Sequence, residues 1–162
     1  PQEYRDKMKQ LAVFTVPLGW RNQYCGIETL KLGKIQYYFV DNGFIRLLKT
    51  DPKADQLENL VALHLLRRYG FNDRVFFYRR DVEVDFYLPD EETAIQVCVK
   101  LATDPKTLER EVDALEKLSK ELPVKRCIIV TMEEERTIES NGRTIEVVPV
   151  WKWLLTEDGG KQ

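Results

Sequence analysis

Glu83-Val84-Asp85-Phe86-Tyr87-Leu88, the turn Pro89-Asp90-Glu91-Glu92, and Ala94-Ile95-Gln96-Val97-Cys98-Val99-Lys100 decide how this chain folds. Both runs alternate with period two, so each predicts a strand with one polar and one apolar face. Val82, Val84, Phe86 and Leu88 face one way, as do Ile95, Val97, Val99 and Leu101. Glu83 and Asp85 face the other way, as do Gln96, Cys98 and Lys100. The result is a hairpin that gathers two carboxylates, an amide, a thiol and an amine on one face. A solvated surface requires less.

Outward from the hairpin, the pattern alternates helix and strand. Asp55 to Tyr69 predicts a helix, with Leu57, Leu60, Val61, His64 and Leu65 at helical spacing and Gly70 as its stop. Arg74 to Arg80 reads as a strand leading into the hairpin. Asp104-Pro105 opens a second helix, the acid as cap and the proline in the first turn. Leu108, Val112, Leu115, Leu118 and Leu122 form its core stripe, and Pro123 ends it. Arg126 to Met132 is nearly continuously apolar, as a buried central strand is. Ser140-Asn141-Gly142 is a turn, and Thr144 to Val150 the last strand. Trp151 to Leu155 predicts a short helix with its two tryptophans on opposite faces, one in the core and one at an interface with missing upstream parts. Upstream, residues 4–19 begin helical and close at Pro17 and Gly19. Residues 20–33 are loop, Gln36 to Val40 a short strand, Asp41-Asn42-Gly43 a cap, and Phe44 to Leu48 a short helix. This order predicts an α/β fold with a mixed sheet.

A length of 162 residues suits one domain with a good core. The net charge is -2 with 32% charged residues, so the whole is neither a polybasic nucleic-acid binder nor an acidic tail, which leaves room for a local basic patch. No apolar run reaches the roughly 20 residues of a membrane span, and no stretch reads as a signal peptide. Cys25, Cys98 and Cys127 are odd in number, and two lie in apolar strand patterns, so they read as reduced thiols of a cytoplasmic protein. With His64 the only histidine, a structural zinc site is not expected. No GxxxxGK[ST] loop occurs, so no ATP site of that kind is expected in this chain. The chain opens on Pro1 without a methionine, which has the look of a domain cut from a longer protein.

Several motifs in order carry a resemblance. Glu58-Asn59-Leu60 in a helix, Tyr78-Arg79-Arg80, Glu83-Val84-Asp85-Phe86 and Ile95-Gln96-Val97-Cys98 resemble the C-terminal domain of unknown function of prokaryotic AAA-type ATPases. That domain is itself similar to the PD-(D/E)xK restriction-endonuclease-like superfamily. Lys34-Ile35-Gln36-Tyr37-Tyr38-Phe39-Val40-Asp41-Asn42-Gly43 resembles the segment that opens it, and Val147 to Leu155 its closing strand and helix. The resemblance implies a lead-in over residues 1–33, a restriction-endonuclease-like domain over 34–155, and a tail over 156–162. The implied fold is a three-layer α/β arrangement with a mixed central sheet flanked by helices.

It also implies a site. A metal-dependent nuclease needs carboxylates for a hard divalent cation and a lysine near the attacking water. The resemblance assigns Glu58, Asp85 and then a Glu-x-Lys, which here reads Gln96 and Cys98. Asp85 and Gln96 would hold Mg²⁺, since an amide oxygen can still ligate. Cysteine supplies neither fixed charge nor a hard ligand. Lys100, two residues on, is placed by alternation to replace the lost lysine. The plain alternative keeps Glu58 and Asp85 as hydrogen-bonding groups and makes Glu83, Gln96 and Lys100 an ordinary polar cross-strand set.

Arg67, Arg68, Arg79 and Arg80, with Arg74, form the main basic cluster, interleaved with Phe76, Phe77 and Tyr78. Guanidinium groups bind phosphate bidentately, and aromatic rings stack bases, so this is the candidate DNA-binding patch, with a solvated rim as the plain alternative and Arg79 placed by alternation on the face opposite Tyr78 and Arg80. Arg67 and Arg68 also close a helix, where positive charge suits the dipole. Glu133-Glu134-Glu135-Arg136 reads as a charged loop. The leading expectation is an accessory domain of an AAA-type ATPase whose nuclease centre is degenerate and which engages DNA or a DNA-bound partner. One rival is an active Mg²⁺-dependent nuclease using Glu58, Asp85, Gln96 and Lys100. The other is a protein-interaction or homo-oligomerisation module. The expected partners are DNA, the ATPase region of the parent chain and a second copy, with no membrane.

Overall fold

The computed structural model describes residues 38–39, 41–69, 74–102 and 105–158. The chain divides into two compact units, Pro1–Phe76 and Phe77–Gln162. The expected helix in residues 4–19, the loop of 20–33, Cys25, the Gly70 stop and the Asp104 cap lie outside the described residues. So does most of the strand expected at Gln36 to Val40, where Tyr38 and Phe39 carry no strand assignment.

In the first unit, α1 spans Asn42–Leu48 and α2 spans Lys53–Tyr69. Asp41 caps α1 by accepting the Gly43 N–H at 2.6 Å. The α2 stripe buries Leu57, Val61, Ala62, Leu65 and Leu66, whereas His64 is only partly buried. A polar residue, Asn59, is 2% exposed within that stripe. Its carboxamide accepts from the Phe39 N–H at 2.7 Å and donates to the Phe39 carbonyl at 2.8 Å. An amide side chain carries the same donor and acceptor as a peptide group, so Asn59 pairs with Phe39 as a neighbouring strand would.

The second unit is built on a six-stranded sheet in the order β1-β2-β3-β4-β6-β5. The strands are β1 Phe76–Arg79, β2 Glu83–Leu88, β3 Thr93–Cys98, β4 Arg126–Thr131, β5 Arg136–Ser140 and β6 Arg143–Pro149. Helix α3 spans Pro105–Glu121 and α4 spans Val150–Asp158. The sheet is mixed: β2–β3 and β5–β6 are antiparallel, while β3–β4 and β4–β6 are parallel. Helix α3 makes the crossover from β3 to β4, as a parallel pair requires. This is the expected α/β architecture with flanking helices. No helix among the described residues is long and apolar enough to cross a membrane.

Both faces of the sheet are buried along its central strands β2, β3 and β4. Phe86, Ile95 and Ile128 lie side by side in register on one face, each 1% exposed or less. Tyr87, Ala94, Cys127 and Ile145 follow on the other, packed with Ala114, Leu115 and Leu118 of α3. Alternation therefore places Asp85 and Gln96 on the α3 side, continuous with core residues rather than on an open surface. The β2–β3 turn is a 3-10 segment, Pro89–Glu91, closed by Glu92 in the left-handed region at φ 48. The Glu92 carbonyl accepts the Lys125 N–H at 2.7 Å, tying this turn to the start of β4.

Two sequence expectations change here. The charged loop at 133–136 is shorter than expected, and Arg136 opens β5, a strand the apolar pattern does not reveal. Its burial is slight, so it has no apolar face to read. The closing helix runs past Leu155 to Asp158. Trp153 is in the core at 1% exposure and Trp151 is 58% exposed, as opposite helix faces dictate.

Candidate functional site

The backbones of β2 and β3 pair at Leu88↔Thr93, Tyr87↔Ala94 and Phe86↔Ile95. Before Phe86 two side chains join them instead. Gln96 Oε1 accepts the Asp85 N–H at 2.8 Å, and Gln96 Nε2 donates to the Glu83 carbonyl at 3.0 Å. Asp85 Oδ2 accepts the Val97 N–H at 2.7 Å. The carboxamide of Gln96 stands in for a peptide group where the strands part, and the Asp85 carboxylate does the same for one acceptor.

Gln96 has a third partner. Its Nε2 also donates to Glu111 Oε2 at 2.8 Å. Glu111 comes from α3 and is 5% exposed. Arg110 completes it, with Nη2 and Nε donating to Glu111 Oε1 at 2.5 and 3.2 Å. The buried carboxylate is thus held by a guanidinium on one oxygen and an amide on the other, which is what burial of a charge demands. Sequence reading assigned Glu111 no role. The signal was present: Glu111, Leu115 and Leu118 share one helical stripe, so an acid stands where the core pattern expects an apolar residue.

Cys98 is half-buried and donates from Sγ to the Lys100 carbonyl at 3.2 Å. Burial pushes its thiol above the usual cysteine range, and the nearby Arg110 charge only partly offsets this. A raised pKa means less thiolate at neutral pH. Cys98 should therefore alkylate with iodoacetamide at pH 7.5 at least about fivefold more slowly in the folded chain than in urea. Peptide mass spectrometry reads the rate, and equal rates in the two states would contradict the buried thiol.

The structure brings Asp85 and Gln96 together and leaves Lys100 aside. β3 ends at Cys98, the backbone bends at Val99, and Lys100 is exposed beyond the strand, so alternation no longer fixes its side. Glu83 is exposed and pairs with Arg79 at 3.4 Å. Glu58 belongs to the first unit, where its Oε1 accepts the Tyr38 hydroxyl at 3.0 Å. Arg67 and Arg68 occupy the last turn of α2 there, Arg67 exposed and Arg68 at 5.4 Å from the Tyr69 ring centroid. In the second unit Arg80 pairs with Glu121 at 3.1 Å. As placed, the donor set does not fit Mg²⁺. Asp85 and Gln96 each commit an oxygen to a backbone N–H of the opposite strand, and no three His, Cys, Asp or Glu side chains converge on a metal position among the described residues.

A family model described as a domain of unknown function, DUF4143, matches residues 55–153. The opening segment Lys34 to Gly43 lies outside that match. An uncharacterized protein of Methanocaldococcus jannaschii, MJ1544, is 42% identical over 114 residues, covering 64% of this chain and 25% of that protein. Glycogen synthases of Caldicellulosiruptor saccharolyticus and Lactobacillus acidophilus are 57% and 54% identical over 44 residues, covering 27% of this chain and 9% of each synthase. The chain thus spans a tenth to a quarter of the length of these relatives. A 44-residue likeness is close to the smallest size at which a core stands alone, and it carries no activity to this chain. No solved structure matches.

Proposed function

Because the chain belongs to the DUF4143 family, a domain of unknown function, we propose its role from its own polar cluster. It is an accessory domain of an AAA-type ATPase that engages DNA through an arginine rim, and its nuclease-like site is degenerate. The observation that carries this reading is the use of Gln96 as a peptide surrogate clamped to Glu111. A group with that task is unsuited to ligating a cation or orienting water.

The mixed sheet, with Asp85 and Gln96 bridging adjacent strands, supports the restriction-endonuclease-like resemblance. The chain's 25% share of MJ1544 is in keeping with a module of a longer protein. Arg79 and Arg80 support the rim. Both are exposed, and their ion pairs with Glu83 and Glu121 involve side chains 39–47% exposed. Such pairs are worth little and yield readily to phosphate.

Fluorescence anisotropy of a labelled duplex against salt tests the rim. Binding should weaken steeply with salt, and Arg79→Ala with Arg80→Ala should lower the slope by about two. The same samples with Mg²⁺ or Mn²⁺ should leave the duplex uncut. Cleavage lost in Asp85→Ala would instead establish the active nuclease. Absence of salt-dependent binding would remove DNA as the partner and favour an interaction module.

A further inference from the structure

We propose that β5 is a self-association edge: two copies pair antiparallel through Arg136–Ser140, and Arg136 of each enters the acidic groove beside Ser140 of the other. The phase of the β5–β6 hairpin exposes the necessary groups. Asn141 and Gly142, at φ 49 and 74, form a two-residue turn, so Ser140↔Arg143 is a hydrogen-bonded pair. Alternation then makes Ile138↔Ile145 and Arg136↔Val147 hydrogen-bonded pairs as well. Thr137 and Glu139 direct their backbone N–H and C=O groups away from β6. β5 is the end strand of the sheet, without proline, and both residues are exposed. Such an edge is a template for another strand.

The side chains select the partner and the register. A two-fold axis through Ile138 sets Thr137 opposite Glu139 of the second copy, and these pairs exchange four backbone hydrogen bonds. Ile138 meets its own copy on the axis. Arg136 falls opposite Ser140 of the second copy, on the sheet side of Ile138, which packs against the α3 core. Ser140 there donates to Glu116 Oε1 at 2.5 Å, and Asn141 donates to Glu116 Oε2 at 2.7 Å. Glu116 lines an open groove of about 600 Å³ in which Glu109, Asp113 and Glu116 outnumber Lys106 and Arg110. A guanidinium arriving beside Ser140 meets that carboxylate, twice by symmetry. Among the described residues of one copy, Arg136 makes a loose ion pair, 3.7 Å from Glu134. Five residues a side bury less than a standard interface, so the dimer is weak and concentration-dependent.

Sedimentation velocity of the full 162-residue chain, without DNA, tests this from about 10 μM to about 1 mM. The average sedimentation coefficient should rise with concentration. Thr137→Pro removes only an outward N–H, which an edge strand tolerates, and should weaken association at least about tenfold. Arg136→Glu should weaken it similarly, and adding Glu116→Arg to that chain should restore it. Far-UV circular dichroism checks that each variant folds, and Arg136→Glu decides if Thr137→Pro does not. A monomer across the whole range, or a dimer indifferent to Arg136→Glu, overturns the proposal. Neither result bears on DNA binding.

Discussion

Gln96→Glu should destabilise the chain by about 3–5 kcal/mol at pH 8, although it installs the residue that the nuclease resemblance would place there. The carboxamide makes one acceptor and two donor contacts at once. A carboxylate keeps the first and loses both donations. It then faces the Glu83 carbonyl and, at the 2.8 Å now spanned by a hydrogen bond, the Glu111 carboxylate. Like charges that close cannot both ionise cheaply, so the new acid's pKa lies above its unfolded value. The folded variant then binds more protons than the unfolded one from about pH 4.3 up to that raised value, and stability falls as pH rises through the window. Urea unfolding at pH 4 and pH 8 measures it: a small deficit in acid and a full one in base. A deficit below about 1 kcal/mol at pH 8 would mean the cluster is loose. Rescue of the variant by Mg²⁺ would mean that a metal site is one substitution away.

Trp153→Ala should cost about 3–5 kcal/mol, and Trp151→Ala within about 0.5 kcal/mol of nothing. The two residues are neighbours of one helix, yet one is 1% exposed and the other 58%. Removing the buried indole leaves a cavity that β4 and β6 cannot refill without moving the sheet. Removing the exposed one returns solvent to solvent. Denaturant titration of both variants reads the contrast. Equal losses would show that Trp151 is covered by something in solution.

These two predictions mark how far the sequence carries. Strands with strong period two, β2 and β3, and helices with an apolar stripe, α2 and α3, are legible because burial of one face imposes the pattern. Trp151 and Trp153 separate for the same reason. β5 is not legible, because an edge strand with five slightly buried residues has no face to declare. The site was legible in part. Asp85 and Gln96 meet because cross-strand register follows from the hairpin. Lys100 does not join them, because alternation holds only while the strand lasts. Glu111 escaped because its partner is distant in sequence and its place in a core stripe looks like an accident until the sheet is in view.

Asn59 and Gln96, 2% and 3% exposed, use the same device in the two units: a side-chain amide replaces a strand's peptide group. That has a consequence for chemical ageing. Asparagine and glutamine are among the residues that heat degrades. Hydrolysis of either amide here would delete donors and bury a negative charge where the fold has arranged a dipole. Burial and saturated hydrogen bonding withhold both amides from water while the chain is folded. The damage therefore accumulates in molecules that have opened, and each damaged molecule closes less well than before.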